Sequence, residues 1–206
     1  IWNDSSWMAE RKKYDDRRQP VSIYETSLGQ WKSGKELVAF AKEKGYTHVE
    51  LHPVMEFLED GSDGYPTSAY FAVSTRYGTP ADFAALVDEL HQVGIGVILD
   101  WSPAQFPRYA GGLEKFDGTP LYEVKDPEMA VHPMWGTMLY NYDSPMVMDF
   151  LISNACFWLE VFHVDGLRMD DVDAMLYLDY GRKDGWTPNM YGSNENLQAI
   201  EFLKHL

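Results

Sequence analysis

Cysteine is nearly absent from this sequence: Cys156 stands alone among 206 residues, which excludes an internal disulfide framework and fits a reducing compartment. Its neighbours Ala155, Phe157 and Trp158 predict a place in a helix core rather than a nucleophile's role. Basic residues are scarce as well, 17 Lys and Arg against 32 Asp and Glu, and the formal charge of -15 repels phosphate backbones and anionic lipid. Nucleic-acid and membrane-surface binding are therefore not expected. No apolar run approaches the roughly 18 residues of a membrane span, and the amino terminus lacks the positive-then-apolar pattern of a signal peptide, so a soluble, cytoplasmic protein is expected. The six histidines form no Cys-His cluster, the one His-x-x-x-His spacing, His48 to His52, sits across a strand end rather than on a helix face, and no P-loop or Gly-x-Ser-x-Gly motif occurs. The acidic stretch Glu56 to Asp63 lacks EF-hand spacing and reads as a solvated loop. Neither a metal nor a cofactor is expected.

Aromatic residues, at 15%, are plentiful. They can stack on sugar rings, but core packing is the default for most of them. Residues 1–20, with a mixed-charge run from Glu10 to Arg18, read as an amino-terminal arm connecting to something upstream. Val21 to Glu25 reads as a first strand. Ser33-Gly34-Lys35-Glu36 has the form of a capping box ahead of a helix that Gly45 stops. Thr47 to Leu51 is a second strand, followed by a long loop over 52–79. Thr79-Pro80 caps a helix with Phe83, Leu86, Val87 and Leu90 on one stripe. Gly96 to Trp101 is a third strand of the kind buried on both faces of a parallel sheet. A longer loop over 102–143 leads to a helix from Ser144-Pro145 to Phe162, a fourth strand Gly166 to Asp170, and a fourth helix from Asn194.

Four strand-then-helix units in alternation call for a parallel sheet with right-handed crossovers. A dinucleotide fold needs a glycine-rich turn after its first strand, and Glu25 to Trp31 holds only Gly29. Polar residues gather instead at the carboxyl ends of the later strands, where a (β/α)8 barrel builds its active site. The expected fold is thus α/β, of the (β/α)8 TIM-barrel type, with 21–206 supplying the first four units, half a barrel. Its open edge strands, with Val97, Leu99, Leu167 or Met169 facing the barrel interior, invite a two-fold homodimer or the remainder of the barrel as partner.

Arg168 and Asp170, two apart on a strand, leave the same face, and the guanidinium favours an ionised, nucleophilic carboxylate; a structural ion pair is the plainer alternative. The motif around them, Asp165-Gly166-Leu167-Arg168 through Asp170, resembles that of the 1,4-α-glucan (glycogen) branching enzymes of the α-amylase superfamily. So do Ser22-Ile23-Tyr24-Glu25, Ser74 to Pro80, Val97-Ile98-Leu99-Asp100-Trp101, Phe116-Asp117-Gly118-Thr119, Met175 to Tyr180 and Glu195-Asn196-Leu197. The resemblance implies a retaining transglycosidase acting on glycogen or amylose-like α-glucan. It cleaves an α-1,4 link and passes the segment to a 6-hydroxyl. It also implies that Asp170 is the nucleophile, Arg168 the group that holds it ionised, Asp100 a supporting acid and Tyr65 a residue stacking on the transferred sugar.

Several positions depart from the pattern. Asp-Trp-Val-Pro-Gly-His-Phe becomes Asp100-Trp101-Ser102-Pro103-Ala104-Gln105-Phe106, so Gln105 replaces the histidine that contacts the sugar and cannot carry its charge. Asp63 and Pro66 replace a tryptophan and a glutamine, and Asp171 and Asp173 replace small residues; an extra acid beside Asp170 should push one carboxyl pKa upward. The second carboxyl of a retaining mechanism belongs to the family's fifth strand, so these 206 residues alone are expected to be inactive. A glucan-binding pseudoenzyme and a glucan hydrolase or trehalose-forming relative are the rival readings.

Overall fold

A computed structural model describes residues 2–13 and 18–206; part of the mixed-charge run from Glu10 to Arg18 lies outside them. In chain order the elements are α1 (Ser5–Arg11), β1 (Ile23–Thr26), α2 (Gly34–Lys44), β2 (His48–Leu51), β3 (Met55–Phe57), β4 (Thr67–Val73), α3 (Pro80–Gln92) and β5 (Gly96–Trp101). Then come β6 (Gln105–Phe106), α4 (Pro127–Ala130), β7 (Met138–Leu139), α5 (Pro145–Val161), β8 (Gly166–Met169), α6 (Val172–Leu176) and α7 (Leu197–His205). The main sheet has the order β1-β2-β5-β8, with parallel β1/β2 and β2/β5 pairs. These are the four expected strands, in the expected order.

The helix boundaries follow their caps. Ser33 Oγ accepts the Glu36 N–H, but Glu36 reaches the Lys32 N–H and leaves that of Ser33, so α2 has half of the expected box. The reciprocal box belongs to α3, where Thr79 and Asp82 cap each other ahead of Pro80. Gly45 ends α2 at φ 76°, a left-handed position where a side chain costs roughly 1–2 kcal/mol.

Two compact units are distinguished: residues 1–65, 69–101 and 155–168, and residues 66–68, 102–154 and 169–206. In the first, Val49, Leu51, Val97 and Leu99 are fully buried on the sheet face covered by the stripes of α2 and α3. Trp158, also fully buried, donates Nε1–H to the Tyr70 carbonyl at 3.0 Å and stacks on Phe162. In the second unit Phe106 packs on Tyr140 and Tyr142 on Phe202, while Arg182 ties down the carbonyls of Glu128, Met129 and Val131.

The structure corrects four expectations. Val97 and Leu99 do not face a barrel interior. In the parallel register Glu25 pairs with Glu50 and Glu50 with Ile98; period two puts Asp100 on that face, where Arg168 meets it, and the apolar residues on the helix side. The loop over 52–79 contains the two-stranded sheet β3–β4, and that over 102–143 contains β6, α4 and β7. These strands are too short or too irregularly buried to show a period. Cys156 lies on α5 but is exposed: at 100° per residue the buried Ala155 and Trp158 turn it outward. The acidic stretch is not merely solvated, because Arg76 binds Glu56 at 2.5 Å and Asp60 at 2.7 Å.

Within residues 1–20, α1 docks on the first unit. Asp4 Oδ2 lies 2.9 Å from His91 Nδ1 and 2.8 Å from His163 Nδ1; His91 Nε2 lies 2.9 Å from Asp165 Oδ2. Trp7 Nε1 and Arg11 donate to Asp165 Oδ1 at 2.8 and 3.2 Å. Rings close the cluster, Trp7 over His91 and Trp2 over His163. Burial pushes the Asp165 carboxyl up, but the His91 hydrogen bond and charge, with the Val97 and Trp7 N–H groups, outweigh it and leave the carboxyl below its ordinary range.

Candidate active site

Three of the residues singled out from sequence meet in the first unit. Asp100, the fifth residue of β5, is buried, and its Oδ2 accepts the Tyr65 hydroxyl at 2.5 Å and Arg168 Nη1 at 3.0 Å. Asp100 and Arg168 stand on neighbouring strands of the sheet, β5 and β8, close enough for this ion pair. Tyr65 is delivered by the turn before β4, where Gly64 at φ 99° lies so close to Pro53 that a Cβ would come within 2.5 Å of its carbonyl oxygen. Only glycine permits that approach.

Glu50, which sequence reasoning passed over, belongs to the same cluster. Its Oε1 lies 3.7 Å from Arg168 Nε. Burial raises its pKa, the charges of Asp100 and Glu25 raise it further, and Arg168 pulls it down less than these push. A charged residue alternating with the buried Val49 and Leu51 on a central strand was the signal that could have revealed it. The face thus sets the carboxyls of Glu25, Glu50 and Asp100 against one guanidinium.

Gln105 lies in the second unit, on β6, and is buried. Its Nε2 donates to Asp171 Oδ2 at 2.7 Å, and its Oε1 accepts the Thr137 hydroxyl. His132 Nε2 is 2.9 Å from the same Asp171 oxygen. Asp170 follows directly on β8. Burial raises the Asp171 pKa, His132 draws it down, and the charges of Asp170 and Asp173 push it back up, for a net rise. Burial likewise lowers His132. Neither His132 nor Thr137 was legible in advance, since only the antiparallel β6/β7 pair brings 132–139 beside 105.

Two of the substituted positions have a local physical account. Asp63 and Asp171 both sit at positive φ, 53° and 59°, where aspartate is among the better tolerated side chains. Nothing in the structure explains Asp173. Among the described residues no group of three His, Cys, Asp or Glu side chains is arranged to hold a metal ion, and no helix is long and apolar enough to cross a membrane.

Comparison with known proteins places these clusters in a family. The α-amylase catalytic domain matches residues 10–103. The 1,4-alpha-glucan branching enzyme GlgB of Methylococcus capsulatus is 51% identical over 218 residues, covering 100% of this chain and 30% of the relative. That of Thermobifida fusca is 51% identical over 213 residues, covering 100% of this chain and 28% of the relative. The chain therefore spans less than a third of the length of these curated relatives. Among solved structures, an α-amylase-type protein from Salmonella typhimurium superposes with a TM-score of 0.70 at 27% identity, covering 84% of this chain and 29% of the other. The α-amylase of Geobacillus thermoleovorans, solved with acarbose, has a TM-score of 0.60 at 22% identity and covers 73% of this chain and 40% of the other, a likeness of fold alone. With about half its residues shared along its whole length, the chain belongs to the 1,4-α-glucan branching enzymes of the α-amylase superfamily and corresponds to part of their catalytic domain.

Proposed function

We propose that residues 21–206 form the first four units of a (β/α)8 barrel that cleaves α-1,4-glucan and transfers the segment to a 6-hydroxyl. Residues 1–20 act as an arm before it. The observation that carries this reading is Arg168 held on Asp100 at 3.0 Å while Tyr65 binds the same oxygen at 2.5 Å, with Asp170 two residues further along the chain. Asp170 is the nucleophile: its carboxylate attacks the anomeric carbon, the glycosidic oxygen leaves with a proton from an acid, and a β-glucosyl ester forms. Arg168 keeps that carboxylate ionised. Asp100 fixes Arg168 and Tyr65, Tyr65 stacks on the sugar, and Gln105 hydrogen-bonds to it.

The electrostatics suit the chemistry. The transition state of retaining glycoside transfer gathers positive charge on the sugar, and a face with three carboxyls against one guanidinium favours positive charge nearby. The general acid comes from outside these units, so the edge strands β1 and β8 are completed by the rest of the barrel or by a second copy. The substrate is a neutral glucan. A single cysteine supports a cytoplasmic setting.

The test uses the full-length protein that contains this chain, treated with a fluorinated glucosyl fluoride that slows hydrolysis of the ester. A glucosyl adduct on the Asp170 peptide, absent from Asp170→Asn, is the expected result. An adduct on another residue overturns the assignment; amylose binding without adduct or branching identifies a glucan-binding pseudoenzyme instead.

A further inference from the structure

Positions 105 and 171, both departures from the branching-enzyme pattern, meet across 66 residues of chain: Gln105 Nε2 donates to Asp171 Oδ2 at 2.7 Å. The two ends of a carboxamide differ in polarity and little in shape, so its neighbours decide which way it faces. Here both ends are specified, since Oε1 accepts the Thr137 hydroxyl while nitrogen takes the Asp171 side. Asp171 is fixed in turn. It sits at φ 59° with its side chain only 10% exposed, and His132 Nε2 faces it at 2.9 Å.

The tautomer of His132 follows from the other side of its ring. Its Nδ1 accepts the N–H groups of Met134 and Trp135, each at 3.2 Å, which leaves the ring proton on Nε2, beside Asp171 but not aligned for a hydrogen bond to it. The Gln105 amide thus requires an acceptor at position 171, with the His132 ring close beside it. A histidine at 105 offers a rigid ring to a sugar, whereas a glutamine has an extra torsion and an amide that can turn over. Orienting the glutamine requires a partner that a small residue at 171 cannot supply.

We infer that Asp171 is a positioning residue for Gln105: it locks the carboxamide through which this chain meets its glucan, so that the substitutions at 105 and 171 form one functional pair. The inference rests on the glucan reading of Gln105 and adds the residue that sets how that contact is made. Asp171 touches no substrate in this account and acts through Gln105 alone.

The test measures maltoheptaose affinity by calorimetry, and KM and kcat for branching, in the full-length protein that contains this chain. Asp171→Gly deletes the carboxylate at a φ that glycine adopts without strain, and Asp171→Asn keeps an acceptor oxygen. Asp171→Gly is expected to weaken binding roughly tenfold, about the worth of one hydrogen bond to a charged group, through KM more than kcat. Asp171→Asn should recover most of the loss, and Asp171→Gly should have no further effect once Gln105→Ala is present. Additive effects of the two substitutions, or a change below about twofold for Asp171→Gly, overturn the inference while leaving the glucan reading intact. If the unsubstituted protein fails to bind maltoheptaose, the glucan reading falls and the inference with it.

Discussion

Replacing Asp165 with alanine removes one carboxylate and strands three donors together, the Val97 N–H at 2.7 Å, Trp7 Nε1 at 2.8 Å and His91 Nε2 at 2.9 Å, while Arg11 loses its ion pair but keeps the carbonyls of His163 and Val164. His91 has no exposed side-chain surface and Asp165 only 8%, so water cannot replace the lost acceptor. Removing one partner of a buried charged pair costs about 3–5 kcal/mol. That is a large part of the 5–15 kcal/mol typical of a domain. Urea unfolding of the protein carrying Asp165→Ala should show a loss of that size at neutral pH, with a smaller loss for Asp165→Asn, which keeps one acceptor oxygen. The pH dependence has a definite sign. In the folded state Asp165 lies below its ordinary value, as does Asp4, where burial raises the carboxyl and the His163 and His91 hydrogen bonds more than offset it. The unfolded chain therefore takes up protons first as pH falls. The stabilisation is fully present above about pH 4, the unfolded aspartate value, and is lost as pH falls through the depressed folded values. The gap between the unsubstituted protein and Asp165→Ala should accordingly hold constant from pH 7 to about 5 and close below about 4. A loss under about 1 kcal/mol, or a gap that does not narrow in acid, would refute the account of the docked helix.

Tyr65→Phe removes the hydroxyl from Asp100 and should lower branching activity roughly tenfold or more, with little change in the unfolding midpoint; an unchanged kcat/KM would separate Tyr65 from the site. Arg168→Gln deletes the charge that draws Glu50 down, so infrared titration should find the Glu50 carboxyl protonated to still higher pH, and a fall instead would contradict the cluster. Expressed by themselves, the 206 residues are expected to show no branching or amylose hydrolysis and to self-associate; a well-behaved 23.7 kDa monomer in light scattering would contradict the argument from open strand edges.

The four strands of the main sheet, α2, α3, α5 and α7 were legible because each carries its own period, cap or stop. The sequence placed Gly45 as a stop and Thr79-Pro80 as a start, and both hold. The two-stranded sheet β3–β4 was not legible: Met55–Phe57 is too short for a period to register, and Thr67–Val73 is buried in no regular alternation. Asp100, Arg168 and Tyr65 were found through motifs, and the hydrogen bonds of Tyr65 and Arg168 to one Asp100 oxygen bring them together. Glu50, His132 and Asp4 were missed because each acquires its partners from residues distant in sequence, Arg168 for the first, Asp171 for the second and His91 for the third.

The error about Val97 and Leu99 is the most instructive, because the sequence contained its correction. If Asp100 and Arg168 share a face, period two assigns Ile98, Glu50 and Glu25 to it and leaves Val49, Leu51, Val97 and Leu99 to the helices. Burial agrees: the latter four are completely buried, whereas Ile98 and Glu50 are half-buried and Arg168 is exposed. The apolar core and the charged cluster thus lie on opposite faces of the same strands. The helix-facing residues can be chosen for packing alone. The opposite face can then hold carboxyls that repel one another, since the cost of crowding Glu50 and Asp100 is offset by the apolar burial of their immediate neighbours Val49, Leu51, Leu99 and Trp101.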